Sequence, residues 1–172
     1  MGRNGEKWGA RRPVPMPQPT EPNYTGRFPR SLDDRNRITI PSEWRFAHDA
    51  EDMLLAIPKT GPNGNHVVML PPAGAAKVRA KFDEVPLFDE AGQAAIEDFY
   101  SRSQQVWFDK AGRILLNDDL MKHAGIKSGE EHGAVYLAGA GGKFSIYSAE
   151  VWAQAQARPA TNHGETMRRF GI

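Results

Sequence analysis

Short apolar stretches alternate with turn-forming residues along most of the chain, and their order predicts the elements. Residues 24–32 read as a strand, 33–36 as a turn, and 37–40 as a second, β-branched strand that Pro41 ends. Ser42 caps a short helix over 42–48, with Glu43 near its positive end. Residues 53–57 and 66–70 are strands flanking a Gly/Pro/Asn loop at 59–65, and so form a hairpin. Pro71 and Pro72 open a helix over 73–82.

The same order then returns. Residues 104–108 predict a strand, 109–112 a turn and 113–116 a strand. Asn117 caps a helix over 118–124, and strands at 134–138 and 143–147 pair across a glycine-rich turn. Ser148 caps a helix running to residue 156, with Glu150 in its first turn. Between the two runs, residues 90–103 carry Ala95, Ile96 and Phe99 at helix spacing.

The recurrence is a repeat. Leu32-Asp33-Asp34-Arg35-Asn36-Arg37-Ile38-Thr39-Ile40-Pro41 matches Phe108-Asp109-Lys110-Ala111-Gly112-Arg113-Ile114-Leu115-Leu116-Asn117, with the aspartates 76 positions apart. The hairpin ends, Met69-Leu70 and Ile146-Tyr147, are 77 apart, so one net insertion separates the copies. A unit of about four short strands is too small to close its own core, and a second copy supplies the missing face. The expected organisation is an arm over 1–23, a first repeat over 24–84, a helical connector over 85–103, a second repeat over 104–157 and a flexible tail over 158–172. The expected fold class is mainly β with short helices (α+β), the two repeats packing as a pseudo-symmetric pair.

Net charge is only +1 across 172 residues, so there is no global nucleic-acid signature. The charge is uneven. Residues 1–30 hold Arg3, Lys7, Arg11, Arg12, Arg27 and Arg30 against Glu6 and Glu21, an excess of four cations suited to an acidic partner. Five prolines within residues 13–22 and few apolar side chains make this arm an extended or mobile segment by expectation. The absence of cysteine removes disulfides, thiol nucleophiles and thiolate metal sites, and favours a reducing cytosol. Charge and proline occupy the N-terminus where a signal peptide needs an apolar stretch, and no run approaches the roughly 20 apolar residues of a membrane span. The expected location is the cytoplasm.

No catalytic, metal or cofactor constellation stands out. His48, His66, His123, His132 and His163 show no metal-ligand spacing, and His48 and His123 fall at nearly equivalent helix ends where a cation is favourable. Trp44, Trp107 and Trp152 read as core or interface anchors. The run 139–142 lacks any phosphate-loop spacing and reads as a hairpin turn.

The Asp/Arg turns carry the candidate chemistry. Asp33 and Asp109 build Asx-turns, with Asn36 and Gly112 at the positions needing a left-handed backbone. Arg35 and Lys110 need no internal partner and point to phosphate. Arg37 and Arg113 either pair with the aspartates or do so while presenting the rest of the guanidinium fork to a phosphate or guanine edge. Arg27 and Arg30, on the approach strand, are either solvated edge charges or further DNA contacts, and alternation puts them on opposite faces.

These residues resemble the MraZ family, whose halves are each a SpoVT-AbrB-type domain. The likeness rests on the stretches beginning Ser31-Leu32-Asp33 and Phe108-Asp109-Lys110, on His123-Ala124-Gly125-Ile126, and on the stretch from Gly139 to Ser148 followed by Glu150 and Trp152. It covers about residues 24–156. Asn36 stands where the family usually has Gly, Asn117 where Pro is common, and residues 71–76 replace a more acidic, Trp-containing helix start. The resemblance implies a swapped-hairpin AbrB-like barrel, ring-shaped homo-oligomers, and sequence-specific binding of double-stranded DNA by a nucleoid-associated regulator of division and cell-wall genes. By that likeness the DNA-contacting cations are Arg35, Arg37, Lys110 and Arg113. Neither a membrane nor a small-molecule substrate is implied. The alternative is an oligomeric scaffold of the same fold that holds a protein partner and has lost DNA binding.

Overall fold

The computed structural model describes residues 21–45, 48–49, 51–129, 134–157 and 163–171. The basic arm expected over 1–23 lies, up to residue 20, outside the described residues, as does His132. Strand β1 (Arg27–Ser31) leads through the first Asp/Arg turn into β2 (Arg37–Thr39) and a one-turn helix α1 (Ser42–Arg45). Strands β3 (Leu54–Gly61) and β4 (Gly64–Leu70) form a hairpin, followed by helices α2 (Pro72–Asp83) and α3 (Glu90–Ser101). Strands β5 (Gln104–Val106) and β6 (Arg113–Leu115) flank the second turn, and helix α4 (Asp118–His123) follows. A second hairpin, β7 (Ala134–Gly139) and β8 (Phe144–Ser148), ends in helices α5 (Ala149–Ala157) and α6 (His163–Arg169).

The strands are antiparallel and the fold is α+β. One sheet has six strands in the order β1-β7-β8-β4-β3-β5, and β2 and β6 form a separate ribbon. Strand β1 thus adds to the second hairpin and β5 to the first, while the two hairpins meet along β4 and β8. Strands β1 and β5 stand at opposite ends of the larger sheet, so the pairings among the described residues do not run round into the closed barrel expected from the resemblance. The strands leaving each turn separate from the six-stranded sheet and pair with each other instead.

Both halves feed one core. Tyr24, Leu32, Ile38, Ile40 and Trp44 pack with Ile114, Leu116, Leu120, Phe144 and Ile146, all at most 3% exposed. Trp44 sits at its centre, with ring centroids 4.9 Å from Phe144, 5.2 Å from Phe28 and 5.4 Å from Tyr24. Ile38 and Ile114 face each other across the ribbon, each 1% exposed. Burial of such a side chain contributes about 1.5–3 kcal/mol, and each ribbon strand draws part of that burial from the other half. A smaller cluster, Leu55, Val68 and Leu70, is covered by Ala75 and Val78 of α2 and Phe99 of α3.

Three local expectations change. The loop at 59–65 is shorter, because β3 and β4 pair through Gly61 and Gly64; Gly64 takes φ 102°, and Thr60 Oγ1 donates to Asn65 Oδ1 at 2.8 Å. Helix α1, expected to reach 48, is described over Ser42–Arg45; residues 46–47 lie outside the described residues, and His48 is not helical. The stretch expected to be a flexible tail over 158–172 includes α6, whose Glu165 lies in the first turn and Arg168 and Arg169 in the last, signs that suit the helix dipole.

Candidate nucleic-acid interface

The two turns have nearly the same bonding. Asp33 Oδ1 accepts the Arg35 and Arg37 amides, both at 2.9 Å, and Oδ2 accepts Arg37 Nε at 2.7 Å. Asp109 Oδ1 accepts the Ala111 and Arg113 amides, both at 2.9 Å, and Oδ2 accepts Arg113 Nε at 2.8 Å. The fourth residue of each turn is left-handed, Asn36 at φ 59° and Gly112 at φ 73°. Each carboxylate gathers the amides of its own turn and then holds the arginine that starts the ribbon.

The turns also hold each other. Arg113 Nη1 lies 3.4 Å from Asp33 Oδ2, and Arg37 Nη1 lies 3.9 Å from Asp109 Oδ2. The register explains it: Arg37 pairs with Leu115 and Thr39 with Arg113, which puts both arginines on the outward face beside the ribbon centre. Desolvation, the largest single effect, raises the Asp33 carboxyl, but the Arg37 and Arg35 amides and the Arg37 guanidinium together outweigh it and leave it below the usual carboxylate range. Asp109 is lowered mainly by the Arg113 amide, against a smaller desolvation effect, with the Arg113 side chain and the Ala111 amide adding to it. Both carboxylates are therefore anions at neutral pH.

The candidate cations fall into three settings. Arg35 and Lys110 are exposed at the turn tips, and their side chains make no ion pair with any described residue. Arg37 and Arg113 are engaged by carboxylates, yet their side chains keep 24% and 29% exposure. Arg30 is bound inward: Nε donates to the Thr39 carbonyl at 3.1 Å, Nη1 donates to the Pro29 carbonyl at 2.9 Å, and the guanidinium lies over Phe28. Arg27 is exposed and donates to Gln156 on α5 at 3.3 Å. It lies six residues before Asp33, about 20 Å along an extended chain, so it stands apart from the turns.

Sequence reading missed Arg45. Its side chain lies over Gly112 and donates to the Ala111 carbonyl at 3.0 Å, where a Cβ on Gly112 would collide with Arg45 Nη1. Nothing in the repeat marks it, since Met121 stands at the corresponding place in the second copy. Asn36 has its own long-range contact, its Oδ1 accepting the Gly129 amide at 3.2 Å.

Two aromatic expectations separate. Trp44 is a core residue, and Trp152 stacks on Tyr136 at 5.3 Å. Trp107 is 51% exposed and anchors no core. Strand alternation turns it outward, because Phe108 beside it packs inward.

His48 is not a solvated helix-end cation. Its side chain is 1% exposed and lies between the Tyr24 hydroxyl and Asp52 Oδ2, the latter at 3.3 Å. Burial lowers its pKa more than Asp52 raises it, and burial with the Asp52 charge raises that of Tyr24. His123 does end a helix, with Nε2 3.2 Å from the Lys59 carbonyl oxygen. No metal-holding group of three or more His, Cys, Asp or Glu occurs among the described residues, and no helix there is long and apolar enough to cross a membrane.

Residues 99–170 match the family described as "MraZ protein, putative antitoxin-like". The transcriptional regulator MraZ of Thermus thermophilus is 32% identical over 131 residues, covering 76% of this chain and 85% of the relative. That of Clostridium acetobutylicum is 29% identical over 132 residues, covering 76% and 85%. That of Lactiplantibacillus plantarum is 24% identical over 139 residues, covering 81% and 92%. At 32% identity over 76% of this chain and 85% of the relative, the Thermus comparison shows that the chain belongs to the MraZ family.

Proposed function

We propose that this protein is a cytoplasmic, nucleoid-associated transcriptional regulator that binds double-stranded DNA sequence-specifically, as a homo-oligomer, at its own division and cell-wall gene cluster. The observation that carries the reading is the pair of exposed tip cations, Arg35 and Lys110, on two turns joined by the β2–β6 ribbon. A two-stranded ribbon fits the major groove, and unpaired cations flanking it suit the phosphates on either side. Relatives carry the name transcriptional regulator, which agrees.

The division of labour follows from the bonding. Asp33, Asp109, Asn36 and Gly112 shape the turns. Arg35 and Lys110 contact phosphate. Arg37 and Arg113 present their remaining guanidinium N–H groups to phosphate or to a base edge. Arg27 and Arg30 act weakly at most, one distant and one already bonded to carbonyl groups. The repeats over 24–84 and 104–157 form a pseudo-symmetric, swapped-hairpin pair; strand order supports it, since each copy's first strand joins the other copy's hairpin.

Self-association into a ring would gain affinity on repeated DNA sites by multivalency. Leu87 and Phe88, 77% and 93% exposed in the connection between α2 and α3, are the residues offered for that contact. Leu87 lines a cavity of about 950 Å³ between α2, α3 and β3.

The test is an anisotropy titration against DNA upstream of the coding region at two salt concentrations. Affinity should fall steeply with salt. Arg37→Ala should weaken binding by about 1–3 kcal/mol if the arginine reads a base. No salt-dependent binding, together with a stable complex with another protein, would favour the scaffold alternative.

A further inference from the structure

The outward face formed by the two turns and the ribbon is uneven in one respect. Turn bonding sets Asp109 opposite Arg113, and alternation then places Trp107 opposite Leu115 on the same outward face. Their inward neighbours, Phe108 and Ile114, pack into the core. Trp107 and Leu115 are 51% and 50% exposed, an apolar step beside the second turn. The positions 76 residues earlier are Ser31 and Thr39, both exposed and both small and polar. Leu115 pairs directly with Arg37, and Thr39 with Arg113, so the step lies within the cationic face.

We propose that Trp107 and Leu115 are specificity-determining residues that contact apolar base edges, such as the thymine methyl, next to the second turn. This rests on the DNA-binding reading. Two half-exposed side chains offer far less than the roughly 800 Å² per partner of a stable protein interface. Their neighbours Arg37, Arg113 and Lys110 supply the charge that a duplex requires. The major groove displays the thymine methyl, and apolar side chains read it there. A face whose two halves were alike would dock on a duplex in either direction; a large apolar step on one side and Ser31 and Thr39 on the other fixes the direction.

The test selects duplexes from a randomised double-stranded DNA library with the full chain, then repeats the selection with W107S/L115T, which copies the first half. The selected sequence should lose its preference on one side and become symmetric, and affinity for the original duplex should fall about tenfold. A fluorescence titration provides a check that needs no disruptive variant. Emission should change on adding the selected duplex, and the change should shrink in W107F. The same sequence selected at the same affinity, or an unchanged emission difference, overturns the proposal. Unchanged DNA binding with lost self-association also overturns it, because the step is then a protein contact. If the wild-type chain selects no duplex in a salt-sensitive way, the DNA-binding reading itself fails and this inference falls with it.

Discussion

Arg113 reaches back 80 residues to set its Nη1 3.4 Å from Asp33 Oδ2, while Arg37 approaches Asp109 at 3.9 Å. Each arginine therefore serves its own turn and leans on the other. This ties the two copies of the motif together on the surface, directly above Ile38 and Ile114, which tie them together in the core.

A double-mutant cycle with Asp33→Asn and Arg113→Gln should be non-additive, because either change alone leaves a partner short of its ion pair. Urea unfolding of the two single variants and the double variant measures it. Strict additivity would mean that the cross-turn contact carries no energy.

The tip cations should behave differently. Arg35→Ala and Lys110→Ala remove exposed side chains with no described ion pair, so each should leave unfolding free energy within about 0.5 kcal/mol of the parent. Each should lower the slope of log affinity against log salt by about one. A large stability loss without a change in slope would place these residues in the fold and not on DNA.

The left-handed positions should also diverge. Gly112→Ala should cost about 1–2 kcal/mol for the backbone alone, and more for displacing Arg45 from the Ala111 carbonyl. Asn36→Gly relieves the same backbone strain but loses the bond from the Gly129 amide, so its net effect should stay within about 1 kcal/mol. Thermal melts of the two variants side by side decide it.

Stability should fall in two acid steps. His48 and His66 are lowered below the free value of 6.5, each chiefly by burial. The unfolded chain then takes the proton more readily, so stability is full above about pH 6.5 and declines as pH drops toward the folded values. Asp33 and Asp109, lowered below 3.8, contribute stability that is present above that pH and lost as pH falls through their folded values. A series of melts from pH 8 to pH 3 tests both steps, and His48→Gln, if it folds, should flatten the first.

Much of the local structure was legible because it is written in short-range chemistry. The Asx geometry of Asp33 and Asp109, the Asn117 cap on α4 and the hairpin turns each depend on a few neighbouring residues. Arg45 over Gly112, the burial of His48 against Tyr24 and the exposure of Trp107 were not legible, since each depends on which distant segment arrives there. The tail helix was missed for a related reason: few apolar residues mark it, and its charges alone favour it.

Hydrogen bonds within a turn and alternation along a strand are local, so the two Asp/Arg turns, their spacing and the elements around them can be read from the residues alone. The pairing of β2 with β6 emerges only in the folded chain, since one turn cannot specify its partner strand. That pairing engages Arg37 and Arg113 with both aspartates, leaves Arg35 and Lys110 at the tips, and puts Trp107 and Leu115 on the outward face.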